Sequence, residues 1–285
     1  MNHLHIVTVA TDSEYYFPYL VESCKRNNKE LTVLGYGEKW KGFNWKYRLM
    51  IEYLKGLNHY DIVCFIDGYD VICTRDLNEL ENEFIKIKNK TNSKIIVGNE
   101  KIIKGTFFYY LSNILFNIYF GKCKDLNINT GTYIGYVIDL LEILQNIYNL
   151  NPNDTADDQK LLIKYCNMHN NDIFIDTDNK LFLTFGKPYS EIDYLIQVNN
   201  NGIIYNNNKP FFIHAPGQTY LDNTIRLLGY NLNNNNIKKK MIERNVKKIV
   251  FIIKDNLIVI LIVLFIVLFI FYYTIKFYKK KLYFL

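Results

Sequence analysis

The chain has 285 residues, 49% of them hydrophobic and 16% aromatic, with a formal net charge of +6. Residues 238–285 hold 11 of the 34 Lys and Arg but only 2 of the 28 Asp and Glu, leaving 23 against 26 in the stretch before them. That mildly acidic stretch argues against nucleic-acid binding, which calls for a basic face on the domain itself. The five cysteines are odd in number and lack CxxC spacing, which suggests neither a zinc knuckle nor a disulfide framework.

In chain order, LHIVTVAT (4–11) reads as a β-branched strand closed by polar residues that can cap a helix. A helix is expected around 13–27, with Pro18 as a potential break. LTVLGYG (31–37) reads as a second strand, and WKYRLMIEYLKGL (45–57) has apolar residues at helical spacing. DIVCFI (61–66) is a third strand, DLNELENEFIKIK (76–88) a helix and KIIVG (94–98) a strand. Strands alternating with helices predict a mostly parallel sheet with helices on both faces. Residues 102–120 fit no single period and are left open.

Beyond them, NTGTYIGYV (129–137) reads as a strand whose glycines admit a ligand or a neighbouring backbone. DTADDQKLLIKYC (154–166) has an acidic start and a helical continuation. IFID (173–176), LFLTF (181–185) and PFFIHA (210–215) are short strands, and the Asn-rich patches at 198–208 and 231–236 are loops or linker. The domain is expected over 1–230, with a linker and basic juxtamembrane segment over 231–256. From Leu257 to Tyr273 there is no charged or amide residue, and extended to Ile275 the run would span roughly 28 Å as a helix. Lysines bracket it and aromatics crowd its exit, so 257–275 is expected to be a single membrane span followed by the basic tail 276–285. MNHLHIVTVATDS shows no charged leader, so the folded domain is expected on the cytosolic side of a C-terminal anchor, with a lumenal orientation as the alternative. The sequons at Asn89 and Asn153 are read as chance in so Asn-rich a chain.

CFIDGYDVIC (64–73) sets Asp67 and Asp70 into a run that otherwise asks to be buried. An unpartnered carboxylate is costly to desolvate, and in an open parallel sheet ligands gather at the carboxyl ends of strands. Oxygen ligands of this kind suit Mg²⁺ or Mn²⁺. Gly68 permits a tight turn, and Tyr69 offers a flat face to a base. Alone, the pattern is more often that of a helix cap beside a surface acid.

Other stretches fall in step with it: TVAT (8–11), GEKWKG (37–42), WKYR (45–48), NTGTYIGY (129–136), DDQ (157–159) and HAPGQT (214–219). In this order they resemble the glycosyltransferase domain of the procollagen lysyl hydroxylases, over roughly residues 4–230. The resemblance implies a GT-A-type nucleotide-sugar-binding fold that uses Mn²⁺ (or Mg²⁺) and a UDP-sugar, UDP-glucose or UDP-galactose. It implies Asp67, Asp70 and His214 as metal ligands and Tyr69 as the ring stacked on uracil. Thr11, Trp40, Lys46 and Gly217 would line the nucleotide-sugar pocket, and Asp157 and Asp158 would be the catalytic acids near sugar and acceptor. The acceptor implied is hydroxylysine or galactosyl-hydroxylysine of a collagen-like protein, with another glycan or a lipid as alternatives. Tyr220 stands where the family has a lysine, Trp45 replaces its glutamine, and Thr132 replaces the second glycine of its pair. These departures support, as the competing expectation, a non-catalytic scaffold. The resemblance does not reach the family's dioxygenase portion, so lysine hydroxylation is not expected.

Overall fold

The computed structural model describes residues 3–101, 114, 117–185, 196–199, 202–217, 220–232, 237, 243, 246, 265 and 267–276. The chain separates into a unit Met1–Ile237 and a unit Lys238–Leu285, so the boundary falls inside the expected linker.

The first unit opens with β1 (Leu4–Val9), α1 (Phe17–Arg26), β2 (Leu31–Leu34), α2 (Trp45–Leu54), β3 (Ile62–Ile66) and β4 (Val71–Cys73). After a 3₁₀ turn come α3 (Leu80–Thr91), β5 (Ile95–Lys101), β6 (Ile128–Tyr136), α4 (Val137–Asn149), α5 (Asp158–Met168), β7 (Ile173–Asp176) and β8 (Phe182–Phe185). β9 (Gln197–Asn199) and β10 (Gly202–Ile204) form a separate antiparallel pair, and β11 (Phe212–His214) and α6 (Asp222–Leu227) complete the unit. Pro18 does not break α1. It sits in the first turn, where its missing N–H has no intrahelical partner to lose.

Nine strands make one sheet in the order β2-β1-β3-β6-β5-β8-β11-β4, with β7 also paired to β5. β1 runs parallel to β2 and β3, and β5 parallel to β7 and β8, while β6 is antiparallel to both its neighbours. The sheet is therefore mixed and mostly parallel. All five residues of β3 are buried, as a strand covered on both faces requires. Val7, Phe65 and Tyr133 pack with Trp45, Met50, Leu140 and Leu162 in one cluster, and Ile6, Cys64 and Ile134 pack with Leu20, Leu80 and Phe84 in the other. Cores on both faces fix the pleat of β3, and with it the point where the chain leaves the sheet at Asp67.

One expectation needs correction. Cys123 and Cys166 are joined in a disulfide, with Cα atoms 5.9 Å apart, while Cys24, Cys64 and Cys73 are buried and free. Spacing alone could not show this pair, because the fold supplies the proximity. In the second unit, Phe265 and residues 267–276 are helical with exposed apolar side chains, but no helix among the described residues is long and apolar enough to cross a membrane. Nearly half of the expected span, 257–264 and 266, lies outside the described residues.

Candidate functional site

β3 ends at Ile66 and the chain turns at once through Asp67-Gly68-Tyr69-Asp70 into β4. The turn passes tightly over the end of β1: a Cβ on Gly68 would lie 3.0 Å from the Val9 carbonyl oxygen and 3.1 Å from Ala10 Cβ. β4 pairs antiparallel with β11, placing His214 opposite Val71. The Asp67 amide donates to the Gly131 carbonyl at 2.8 Å, and the Ala215 amide donates to that of Asp70 at 2.8 Å. Four strands thus converge on one corner.

Asp67, Asp70 and His214 each offer a ligand atom there, all within 4.8 Å of one another. His214 Nε2 is 3.2 Å from Asp70 Oδ1 and 3.8 Å from Asp67 Oδ2. The ring is 1% exposed, yet neither nitrogen makes a hydrogen bond of acceptable geometry. A buried imidazole with both nitrogens orphaned, facing two carboxylates, fits a divalent cation of mixed oxygen and nitrogen preference. Burial pulls the His214 pKa down, but Asp70 and Asp67 outweigh it and hold the group above its ordinary value.

A second group lies beside this trio. Lys46, in the first turn of α2, is buried, and its Nζ stands 3.0 Å from Asp67 Oδ1 and 2.8 Å from Asp158 Oδ2. Burial opposes its charge, but Asp158 and Asp67 raise its pKa above the usual lysine value, so it stays an ammonium. Asp158 is buried too. Desolvation raises its pKa against the pull of Lys46, and its oxygens accept from Thr130 Oγ1 at 3.0 Å and the Gln159 amide at 2.9 Å. Asp157 is the cap of α5, its Oδ1 accepting from the Lys160 amide at 3.0 Å. The two acids of the D-D-Q run therefore differ: Asp158 belongs to a buried ion network, and Asp157 starts a helix.

The expected nucleotide side is partly assembled. Tyr69 is half-buried, and its hydroxyl accepts from the Thr11 amide at 2.8 Å and the Asp12 amide at 3.3 Å. Its ring meets Tyr15 edge-on at 5.7 Å between centroids. Trp40 is 39% exposed and packs edge-on against Phe43 and the buried Trp45. Gly217, three residues past His214, takes a φ of +74°. The structure thus links Thr11 to Tyr69, and Lys46 to both Asp67 and Asp158.

Several polar residues at this corner were not singled out from the sequence. Asn129 Nδ2 donates to Glu100 Oε2 at 3.0 Å, and the Gly131 amide donates to Asn129 Oδ1 at 2.7 Å. Asn129 and Glu100 are both buried. Their signal was available: Asn99-Glu100-Lys101 prolongs a strand read as ending at Gly98, and a buried strand seldom turns polar without a partner.

Comparison with known proteins identifies the family. The family model described as PLOD GT domain matches residues 1–242. The Drosophila melanogaster procollagen-lysine,2-oxoglutarate 5-dioxygenase is 26% identical over 239 residues, covering 77% of this chain and 31% of its own. The Caenorhabditis elegans multifunctional procollagen lysine hydroxylase and glycosyltransferase is 24% identical over 241 residues, 75% of this chain and 30% of its own. This chain thus spans about a third of the relatives' length. Likeness to a solved structure is distant: mouse xyloside xylosyltransferase 1 aligns at 10% identity over 77% of this chain and 99% of its own, with a TM-score of 0.42. With a match that runs from the first strand through the metal-competent histidine, the chain belongs to the PLOD GT domain family and is a glycosyltransferase.

Proposed function

We propose that this chain is a divalent-metal-dependent hexosyltransferase that moves glucose or galactose from a UDP-sugar to a hydroxyl acceptor. The observation that carries the reading is the junction at Asp67, whose two oxygens face His214 on one side and Lys46 on the other. Bound by Asp67, Asp70 and His214, Mn²⁺ or Mg²⁺ would neutralise the diphosphate of the leaving UDP. Lys46 supplies a fixed positive charge beside that position. An ammonium held in place by two carboxylates needs no reorganisation as charge develops, which is where preorganised groups lower a barrier. Asp158 keeps Lys46 charged and in place, and its oxygens are already engaged by Lys46, Thr130 and a backbone amide. Asp157, less buried, is the better candidate to meet the acceptor hydroxyl. Tyr69, fixed through its hydroxyl to the end of β1, presents its ring to the base.

By family, the acceptor proposed is hydroxylysine or galactosyl-hydroxylysine in a collagen-like chain. The hydrophobic stretch 257–275 is proposed to hold the enzyme at a membrane. Its side is contested: the sequence led to the cytosol, whereas the Cys123–Cys166 bond favours an oxidising compartment. The deciding experiment for the activity uses the full chain in detergent with Mn²⁺ and each of the two UDP-sugars, reading UDP release with and without hydroxylysine peptide. Acceptor-dependent release that stops on chelation is expected. Release indifferent to chelator would overturn the metal role, and no turnover with either sugar would overturn the donor assignment.

A further inference from the structure

Two loops on either side of Lys46 are sewn together more firmly than surface loops need to be. Gly42, at φ +132°, lies so close to the other loop that a Cβ would stand 2.3 Å from the Asp154 carbonyl oxygen and 2.6 Å from Thr155 Cα. The Asn44 amide donates to the Ala156 carbonyl and the Trp45 amide to that of Asp154, both at 3.2 Å. The fully buried Asn44 side chain donates to the Asn151 and Asn153 carbonyls at 2.8 and 3.0 Å. Arg48 then closes a two-pronged grip on Asp154, Nε to Oδ1 at 3.1 Å and Nη2 to Oδ2 at 2.7 Å, while Tyr148 donates to the same Oδ1 at 3.2 Å.

The loop held this way, 151–156, runs straight into Asp157 and Asp158. α2 and its capping residue Asn44 therefore reach the acidic segment twice: Arg48 and Asn44 hold its approach, and Lys46 binds Asp158 itself. We infer that Asn44, Arg48 and Asp154 are positioning residues that fix the start of α5, so that Asp158 meets Lys46 and Asp157 meets the acceptor in one geometry. A bidentate guanidinium–carboxylate pair suits the task, because it sets angle as well as distance. Carboxylates displaced by about 1 Å lose rate on the order of a hundredfold without leaving the site. None of the three residues is among the proposed metal ligands or is the ring proposed to stack on the base, so their loss is expected to act on transfer more than on UDP binding. The assignment rests on the transferase reading for its kinetic half only.

The test compares wild type with Asp154→Asn, Arg48→Lys and Arg48→Met. Hydrogen exchange should quicken at least tenfold at the Gln159 and Lys160 amides, which the Asp158 and Asp157 side chains hold, while amides of β1 and β3 stay as in wild type. Transfer kcat should fall at least tenfold with UDP affinity unchanged within twofold, Arg48→Lys lying between wild type and Arg48→Met. If Arg48→Met does not fold, the isosteric Asp154→Asn carries the comparison. Unchanged exchange at Gln159 and Lys160 in a folded variant would overturn the assignment, as would UDP affinity falling in step with kcat. Should the wild type show no transfer, the functional reading fails, while the exchange measurement still decides whether the clasp positions the acids.

Discussion

A Cβ on Gly131 would stand 2.3 Å from Cε1 of His214, closer than real side chains approach. The same atom would lie 2.5 Å from Asp67 Oδ2, so β6 presses its bare backbone against two of the three candidate metal ligands. Gly131→Ala should therefore displace the imidazole and the carboxylate together. Mn²⁺ affinity, read by paramagnetic or calorimetric titration, is expected to drop at least tenfold, with the far-ultraviolet spectrum unchanged. Wild-type affinity in this variant would mean the trio is not the cation site.

Tyr69 yields a two-step series. Aromatic stacking on a base is worth about 1–3 kcal/mol, so Tyr69→Ala should weaken UDP binding roughly ten- to a hundredfold. From the sequence alone Tyr69→Phe is expected to weaken binding much less than Tyr69→Ala. In the structure the hydroxyl receives the Thr11 and Asp12 amides, so its removal frees the end of β1 and lets the ring drift. Calorimetry should place Phe between wild type and Ala. Equal affinity for Ala and wild type would show that the ring faces no base.

Lys46 is held between two buried or half-buried carboxylates, and removing it leaves them without compensation. Breaking a buried pair by deleting one partner costs about 3–5 kcal/mol. Lys46→Met should lower the melting temperature and cut transfer by more than a hundredfold, and Lys46→Met with Asp158→Asn should recover stability but not rate. A stable, active Lys46→Met enzyme would remove the lysine from the mechanism.

The Arg48–Asp154 pair predicts an acid dependence. Hydrogen bonds from Arg48 hold the Asp154 carboxyl below the usual carboxylate range. A depressed native pKa stabilises the fold above the unfolded value, near 3.9, and the gain is lost as pH falls through the native value. The stability gap between wild type and Asp154→Asn, about 1 kcal/mol for a partly exposed pair at neutral pH, should therefore close as the pH drops below about 4. A gap independent of pH would assign the loss to packing instead.

Topology and redox state can be read in one preparation. Protease added to intact microsomes should spare the catalytic domain if it is lumenal, and non-reducing peptide mapping should then find Cys123 joined to Cys166. Digestion together with free thiols would restore the cytosolic placement expected from the sequence.

The strands and helices that carry strong local patterns were legible: β1, β2, β3, α2, α3 and β6 all fall where periodicity puts them. Asp67 and Asp70 stood out because charge in a buried run demands a partner. His214 needed the family resemblance, since the pairing of β4 with β11 that brings it to Asp70 is a long-range contact with no local signature. Local pattern also could not separate the roles of Asp157 and Asp158, which depend on α5 beginning between them. β4, three residues long, and the Cys123–Cys166 bond were invisible for the same reason: both are made by tertiary proximity.

The pairing of β4 with β11 has a thermodynamic corollary. Asp67 and Asp70 come from the first third of the chain, and His214 from the last part of the first unit. A cation held by all three would be a cross-link between segments that the unfolded chain keeps far apart. By mass action such a ligand stabilises the native state, by about 2.7 kcal/mol at a hundred times its dissociation constant. The metal would then set how long the folded enzyme survives as well as how fast it turns over. A chain cut short before β11 could gain neither benefit, because its acids would have no imidazole to meet.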